Sequence, residues 1–212
     1  MKEARIDWDR ASRTGIPEAI YCAGKSAPQI DAILAEAADR AMLLTRLSAA
    51  KVGELASKLD YDPQSETGVF GVAPKPVDMG AAIVAAGTSD ARVAREAART
   101  LEFAGVSGPL TIDVGVAGLW RLTEAAARLQ DRRVIIACAG FEGALFSVLA
   151  GLVKAPIIAV PTSVGEGVAA GGQAALSSAL ASCAPGVATV NIDNGFGAAC
   201  MALKILNAGE AQ

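Results

Sequence analysis

The spacing of apolar positions changes part-way along this chain. Up to about residue 72 it is mixed. It predicts a strand over Ile16–Ala23, an amphipathic helix over Pro28–Asp39, a strand over Met42–Leu47, a helix over Ala49–Lys58 and a short strand over Gly68–Val72. Later the pattern becomes regular. Continuous apolar runs predict buried strands at Ala81–Ala86, Leu110–Val114, Val134–Cys138, Ile157–Val160 and Val187–Ile192. Helical periodicity separates them at Asp90–Phe103, Leu119–Gln130, Glu142–Leu152 and Gln173–Ser182, with a last helix near Ala198–Asn207. Short apolar strands alternating with helices predict an α/β fold: a parallel sheet covered on both faces. The proline-rich joint Ala73-Pro74-Lys75-Pro76 divides the reading into a small α/β domain, residues 1–74, and a larger domain, residues 75–212. The small one is expected to pack on something, because so short a segment buries little core.

In parallel sheets, ligands bind beyond the carboxyl ends of the strands. Five loops lie there: Gly87-Thr88-Ser89-Asp90, Asp113–Gly118, Ala139–Gly143, Pro161–Gly172 and Asn191–Gly197. Most of the unusual residues of the larger domain are in them. The first opens a helix, where glycine permits close approach and free amides with the Thr88 and Ser89 hydroxyls suit a phosphate; Ser89 or Asp90 could equally be a helix cap. Asp113, at the end of its strand, suits ribose hydroxyls or a turn. Glu142 stands between two glycines at a helix start, which fits close approach to a ligand or stabilisation by the helix dipole. The loop carrying Thr162 and Ser163 holds four glycines and fits a lid or phosphate cradle. Asn191, Asp193 and Asn194 could orient a ligand or cap the last helix.

Composition narrows the chemistry. Hydrophobic residues make up 52% but aromatics only 4%, and 22 glycines are present, which favours small-residue packing of helices on a sheet. The net charge of −3 gives no basic excess for nucleic acid or an anionic membrane. A charged start, Met1 to Arg13, and the lack of a long apolar run predict neither a signal peptide nor a membrane span, hence a cytoplasmic protein with reduced thiols. The chain has no histidine, so Ser-His-Asp triads, Cys-His dyads and histidine-ligated zinc are excluded. Cys22, Cys138 and Cys200 fall in strands or an apolar helix and read as buried, inert thiols. Cys183 differs, following a helix and preceding Ala184-Pro185-Gly186 at a loop, where it could be an unreactive loop thiol or a nucleophile.

Several segments together resemble the LarB family, over nearly the whole chain. Asp7-x-x-Arg10-x-x-Arg13-x-Gly15-x-Pro17-Glu18 with Gly24-Lys25-Ser26 resembles its amino-terminal signature. Ala86-Gly87-Thr88-Ser89-Asp90, Asp113-Val114-Gly115-Val116-Ala117-Gly118-Leu119, Ala139-Gly140-x-Glu142-Gly143-Ala144-Leu145 and Ile158-Ala159-Val160-Pro161-Thr162-Ser163-Val164-Gly165 resemble its carboxyl-terminal domain. The most specific block runs from Ser182-Cys183-Ala184-Pro185-Gly186 through Val190-Asn191-Ile192-Asp193-Asn194-Gly195-Phe196-Gly197-Ala198. The last two thirds also resemble the phosphoribosyl-aminoimidazole (AIR) carboxylase fold, a Rossmann- or flavodoxin-like three-layer sandwich whose members assemble as octamers.

The resemblance implies an enzyme that carboxylates the pyridinium ring of nicotinic acid adenine dinucleotide with CO2. It then splits the phosphoanhydride in a magnesium-dependent step, giving AMP and pyridinium-3,5-biscarboxylic acid mononucleotide, the first intermediate of a nickel-pincer cofactor. The dinucleotide is substrate, CO2 is co-substrate, no NAD-type redox cofactor is expected, and a homo-oligomer, octameric or dimer-based, is implied. The family cysteine falls on Cys183. Glu142 is then the candidate base and Asp193 the second choice. Gly87, Thr88, Ser89, Asp90, Asp113, Thr162, Ser163, Asp193 and Asn194 are candidate substrate-binding residues, joined by Lys25 from the small domain; the metal ligands are left open. The chain departs from the family pattern at Trp120, Phe146 and Glu166, where histidine, proline and an aromatic residue are expected. These departures keep two alternatives in view: an aminoimidazole ribonucleotide carboxylase or mutase, and a non-catalytic nucleotide-binding paralogue.

Overall fold

The computed structural model describes residues 4–208. The amino-terminal part forms a four-stranded mixed sheet from β1 (Ala19–Tyr21), β2 (Met42–Thr45), β3 (Asp60–Asp62) and β4 (Thr67–Phe70), in the order β1-β2-β4-β3. Strands β1 and β2 are parallel, and β4 runs antiparallel to both β2 and β3. Three helices accompany it: α1 (Arg10–Thr14), α2 (Ala27–Ala37) and α3 (Ala49–Glu54). Helix α2 starts where Ser26 and Gln29 cap each other's backbone, the Ser26 amide donating to Gln29 Oε1 at 3.0 Å. It buries Ile30, Ile33, Leu34 and Ala37, a helical spacing, against β1 and β2.

The larger sheet holds β5 (Ala81–Ala85), β6 (Leu110–Thr111), β7 (Val134–Ala139), β8 (Ile157–Pro161) and β9 (Val187–Thr189) in the order β6-β5-β7-β8-β9, all parallel. Helices α4 (Ala91–Phe103) and α8 (Gly195–Ala208) cover one face; α5 (Leu119–Ala127), α6 (Ala144–Ala150) and α7 (Gln173–Leu180) cover the other. The continuous apolar runs follow from this sandwich. Ala81, Ile83 and Ala85 point into one core and Ala82 and Val84 into the other, so no position of β5 can be polar. The fold is the expected flavodoxin-like three-layer α/β sandwich, preceded by a small α/β part.

Differences from the sequence reading lie at edges. Strand β3 was not predicted; Asp60-Tyr61-Asp62 has no apolar run, and pairing with β4 makes it a strand. Helix α1 was not predicted either. Strands β6 and β9 are shorter than their apolar runs, because at the sheet edge the partner strand limits pairing.

The two parts are packed together. Leu43 and Val69 of the small sheet meet Phe103 of α4 and Phe196 of α8. Arg95 Nε donates to Asp62 Oδ2 at 3.0 Å, Arg99 pairs with Asp60 at 2.8 Å, and Lys204 Nζ donates to the Thr14 carbonyl at 2.9 Å. Burial by itself would raise the Asp62 pKa, but hydrogen bonds from Arg95 and Ser65 and the Arg95 charge outweigh it and hold it at about 2 against an ordinary 3.8. A carboxylate depressed in the folded state contributes stability above its unfolded pKa and loses it as pH falls through the folded one. Asp62→Asn is therefore expected to lower stability by about 1–2 kcal/mol at pH 6, and the gap to the native chain should close between pH 4 and about 2. Thermal unfolding of both proteins across that window checks it; a gap independent of pH would contradict it.

Candidate active site

The strand order reverses direction between β5 and β7, and a crevice of about 350 Å³ opens beyond their carboxyl ends. Ala86, Gly87, Ser89 and Asp90 line it after β5, and Gly115, Val116 and Ala117 after β6. Residues 139–145 line it after β7, and Val164 after β8. Four of the predicted loops thus converge on one space. Glycine is required at Gly140: a Cβ there would lie 2.2 Å from the Val164 carbonyl oxygen and 2.8 Å from Thr162 Oγ1. The next residue, Phe141, is held in the left-handed region at φ 51°, its amide donating to Val164 O at 2.8 Å. That turn aims Glu142, exposed, along the crevice wall.

Asp90 is only 4% exposed. It accepts the Thr162 hydroxyl at 2.5 Å and the Gly87 amide at 2.9 Å. Burial pushes its pKa up, partly offset by hydrogen bonds from Thr162, Gly87 and Gly140. Asp90 ties three site loops together. Thr162 is fully buried and serves that tie, while Ser163 beside it is exposed. Thr88 and Ser89 are exposed in the short 3-10 turn Thr88–Asp90 that leads into α4.

Asp193 sits in the left-handed region at φ 56°. Its Oδ1 accepts the Ser163 amide at 2.9 Å and its Oδ2 lies 3.4 Å from Arg92. Asn194 accepts the Gly197 amide at 2.8 Å, which caps α8. Asp113, also left-handed and exposed, pairs with Arg121. Lys25, half-buried, belongs to the β1–α2 loop, and Arg13 pairs with Asp7 at 2.6 Å. Of the candidate residues, Gly87, Ser89, Asp90 and Glu142 line the crevice, and Thr88, Asp113, Thr162, Ser163, Asp193, Asn194 and Lys25 do not.

Cys183 is exposed, whereas Cys22 and Cys138 are fully buried. Burial raises the pKa of Cys22 and of Cys200 to about 11, and that of Cys138 well above the ordinary thiol value, so these three stay protonated at neutral pH. Within one chain Cys183 is not part of the crevice wall. Helix α7 leads from the crevice side to the other end of the sheet, where residues 181–186 turn the chain into β9. There the Gly186 carbonyl accepts the amide of Ile157, the first residue of β8, at 2.9 Å, and Ser182 Oγ lies 2.8 Å from Ser147 Oγ on α6. Of the departing positions, Phe146 is fully buried in the core, while Trp120, 65% exposed, and Glu166 face solvent.

Sequence reasoning missed Arg46, Arg92 and Glu96. Glu96 is nearly fully buried and pairs with Arg46 at 3.2 Å across the two parts. Burial raises its pKa, countered by Arg46, the Phe196 amide and Arg92. The available signal was a lone carboxylate on the apolar stripe of α4 among Val93, Ala97 and Thr100.

A family model described as AIR carboxylase matches residues 81–212, more than half the chain. Another, the LarB/PurE-like N-terminal domain, matches residues 1–71. The chain belongs to the LarB family. An uncharacterized protein of Methanocaldococcus jannaschii is 36% identical over 212 residues, covering 93% of this chain and 82% of its own length. An N5-carboxyaminoimidazole ribonucleotide mutase of Pyrococcus horikoshii is 39% identical over 128 residues, covering 58% of this chain and 70% of its own. A crystal structure of a PurE2 variant from Treponema denticola aligns with a TM-score of 0.43 at 20% identity, over 66% of this chain and 94% of that one. As a LarB-family protein with an AIR carboxylase-like domain, the chain is of the carboxylase or mutase type. No helix among the described residues is long and apolar enough to cross a membrane.

Proposed function

We propose that this LarB-family protein adds CO2 to the pyridinium ring of nicotinic acid adenine dinucleotide and hydrolyses the phosphoanhydride, releasing AMP and pyridinium-3,5-biscarboxylic acid mononucleotide. The observation that carries the reading is a glycine-walled crevice with the exposed Glu142 carboxylate on its wall, in a chain that has no histidine and one exposed cysteine, Cys183. A pyridinium ring is electron-poor and cannot attack CO2. Addition of the Cys183 thiolate forms a carbon–sulfur bond and moves a ring electron pair to nitrogen, leaving a nucleophilic enamine carbon. That carbon bonds to CO2. Glu142 then takes the proton from the same carbon, and the nitrogen lone pair expels the thiolate and restores the aromatic cation. An aminoimidazole is enamine-like already and would need no thiol.

In this reading, Ser89 and the backbone of Gly87 and Thr88 at the start of α4 take a phosphate, and Ser163 reaches substrate at the rim. Asp90, Thr162, Asp193 and Asn194 act by holding the loops. Asp113 and Lys25 remain candidates for the ribose and the outer phosphate. Magnesium, implied by the resemblance, finds no group of three acidic, thiol or imidazole side chains among the described residues that could hold it. Substrate phosphates and water would have to supply most of its ligands.

Cys183 is not on the wall of the crevice that holds Glu142; in this reading the site is composite, the crevice of one copy receiving Cys183 from another within a homo-oligomer. Incubating the protein with nicotinic acid adenine dinucleotide, bicarbonate and Mg²⁺ should release AMP and a mononucleotide heavier than nicotinic acid mononucleotide by one CO2, as followed by chromatography and mass spectrometry. Turnover of N5-carboxyaminoimidazole ribonucleotide with no AMP from the dinucleotide would overturn the reading in favour of a mutase.

A further inference from the structure

Arg46 closes the carboxyl end of β2 and stands in the left-handed region at φ 53°. Its guanidinium leaves the small sheet and does two things at once. Nε donates to Glu96 Oε1 at 3.2 Å, and Nη2 donates to the backbone carbonyl of Asp193. Glu96 is buried, and its second oxygen accepts the Phe196 amide at 3.3 Å. Asp193 in turn donates its own amide to the Pro161 carbonyl at 2.8 Å and accepts the Ser163 amide on its side chain. From Ser163 the chain passes to Val164, whose carbonyl receives the Phe141 amide beside Glu142. One cation from the amino-terminal part thus fixes a turn on which the β8 side of the crevice hangs.

We infer that Arg46 is a positioning residue, through which the amino-terminal part sets the geometry of Ser163, Val164 and the Phe141–Glu142 turn. The planar fork of arginine reaches a carboxylate and a carbonyl together; a lysine ammonium can replace either contact but holds neither in a fixed direction. Misplacing a catalytic wall by about 1 Å can lower turnover roughly 100-fold. The amino-terminal part is then required for the reaction itself and is more than a cover over α4 and α8.

Two readouts separate this inference from the proposed reaction on which its kinetic arm rests. In hydrogen exchange without substrate, Arg46→Ala should speed exchange in peptides spanning residues 161–165 and leave those over Ala81–Ala85 and Val134–Ala139 unchanged. In the AMP-release assay, Arg46→Ala should lower kcat by roughly 10- to 100-fold with a smaller change in KM, and Arg46→Lys should recover part of the loss. Unchanged exchange at residues 161–165, or equal acceleration in the core strands, would overturn the inference. So would a native kcat in Arg46→Ala. If the native protein released no AMP, the exchange result alone would decide the role of Arg46, and the failure would belong to the proposed reaction.

Discussion

Cys183→Ala is expected to abolish AMP release from nicotinic acid adenine dinucleotide, lowering kcat by about 1000-fold or more while leaving thermal stability close to native. Stability should hold because Cys183 is exposed and fills no core space. Glu142→Gln should be as well folded, since Glu142 is also exposed, and strongly impaired, because the ring proton loses its acceptor. The two variants together probe where the thiol comes from. If every site joins the crevice of one copy to Cys183 of another, co-assembled Cys183→Ala and Glu142→Gln chains regenerate an intact site in about a quarter of cases, by random assortment in a symmetric oligomer. Activity should reappear in the co-expressed mixture and be absent from each parent. If both residues served within one chain, the mixture would stay inactive.

Gly140→Ala is expected to have the second large effect. The added Cβ would lie 2.2 Å from a backbone carbonyl, that of Val164, and cannot be accommodated by rotating a side chain. The strain displaces the Phe141–Val164 hydrogen bond and the buried Thr162 hydroxyl on Asp90 together. A stability loss of about 1–3 kcal/mol should appear in thermal unfolding. Turnover should fall by roughly 100-fold, because Glu142 follows directly on the displaced turn. Gly53→Ala is the matching control: nothing lies within 4 Å of its added Cβ, and it sits inside α3. It should leave activity unchanged and stability equal or slightly higher. Native turnover in Gly140→Ala would show that the crevice wall is not where the chemistry occurs.

How much of this was legible in the sequence depended on whether one segment carried the signal. The strands β5, β7 and β8 are apolar at every position because two cores press on them, and a continuous run records that fact directly. The converging loops were legible for the same reason, since strand–loop–helix order fixes which end of a parallel sheet they occupy. Strand β3 left no such trace, because its strand character comes from pairing with β4. The pair Arg46–Glu96 joins residues 50 positions apart, and only the packing of the two parts brings them together. Cys183 lies between α7 and β9, at the amino-terminal end of the sheet and away from the crevice loops, which the motif around it does not reveal.

Bond formation at one sulfur is the central event of the proposed reaction. Intact-protein mass spectrometry after incubation with nicotinic acid adenine dinucleotide and bicarbonate, with peptide mapping, tests it most directly. The predicted result is a covalent pyridine-nucleotide adduct confined to Cys183, absent from Cys183→Ala and accumulating in Glu142→Gln. AMP release by Cys183→Ala at the native rate, with no adduct on any cysteine of the native chain, would contradict it.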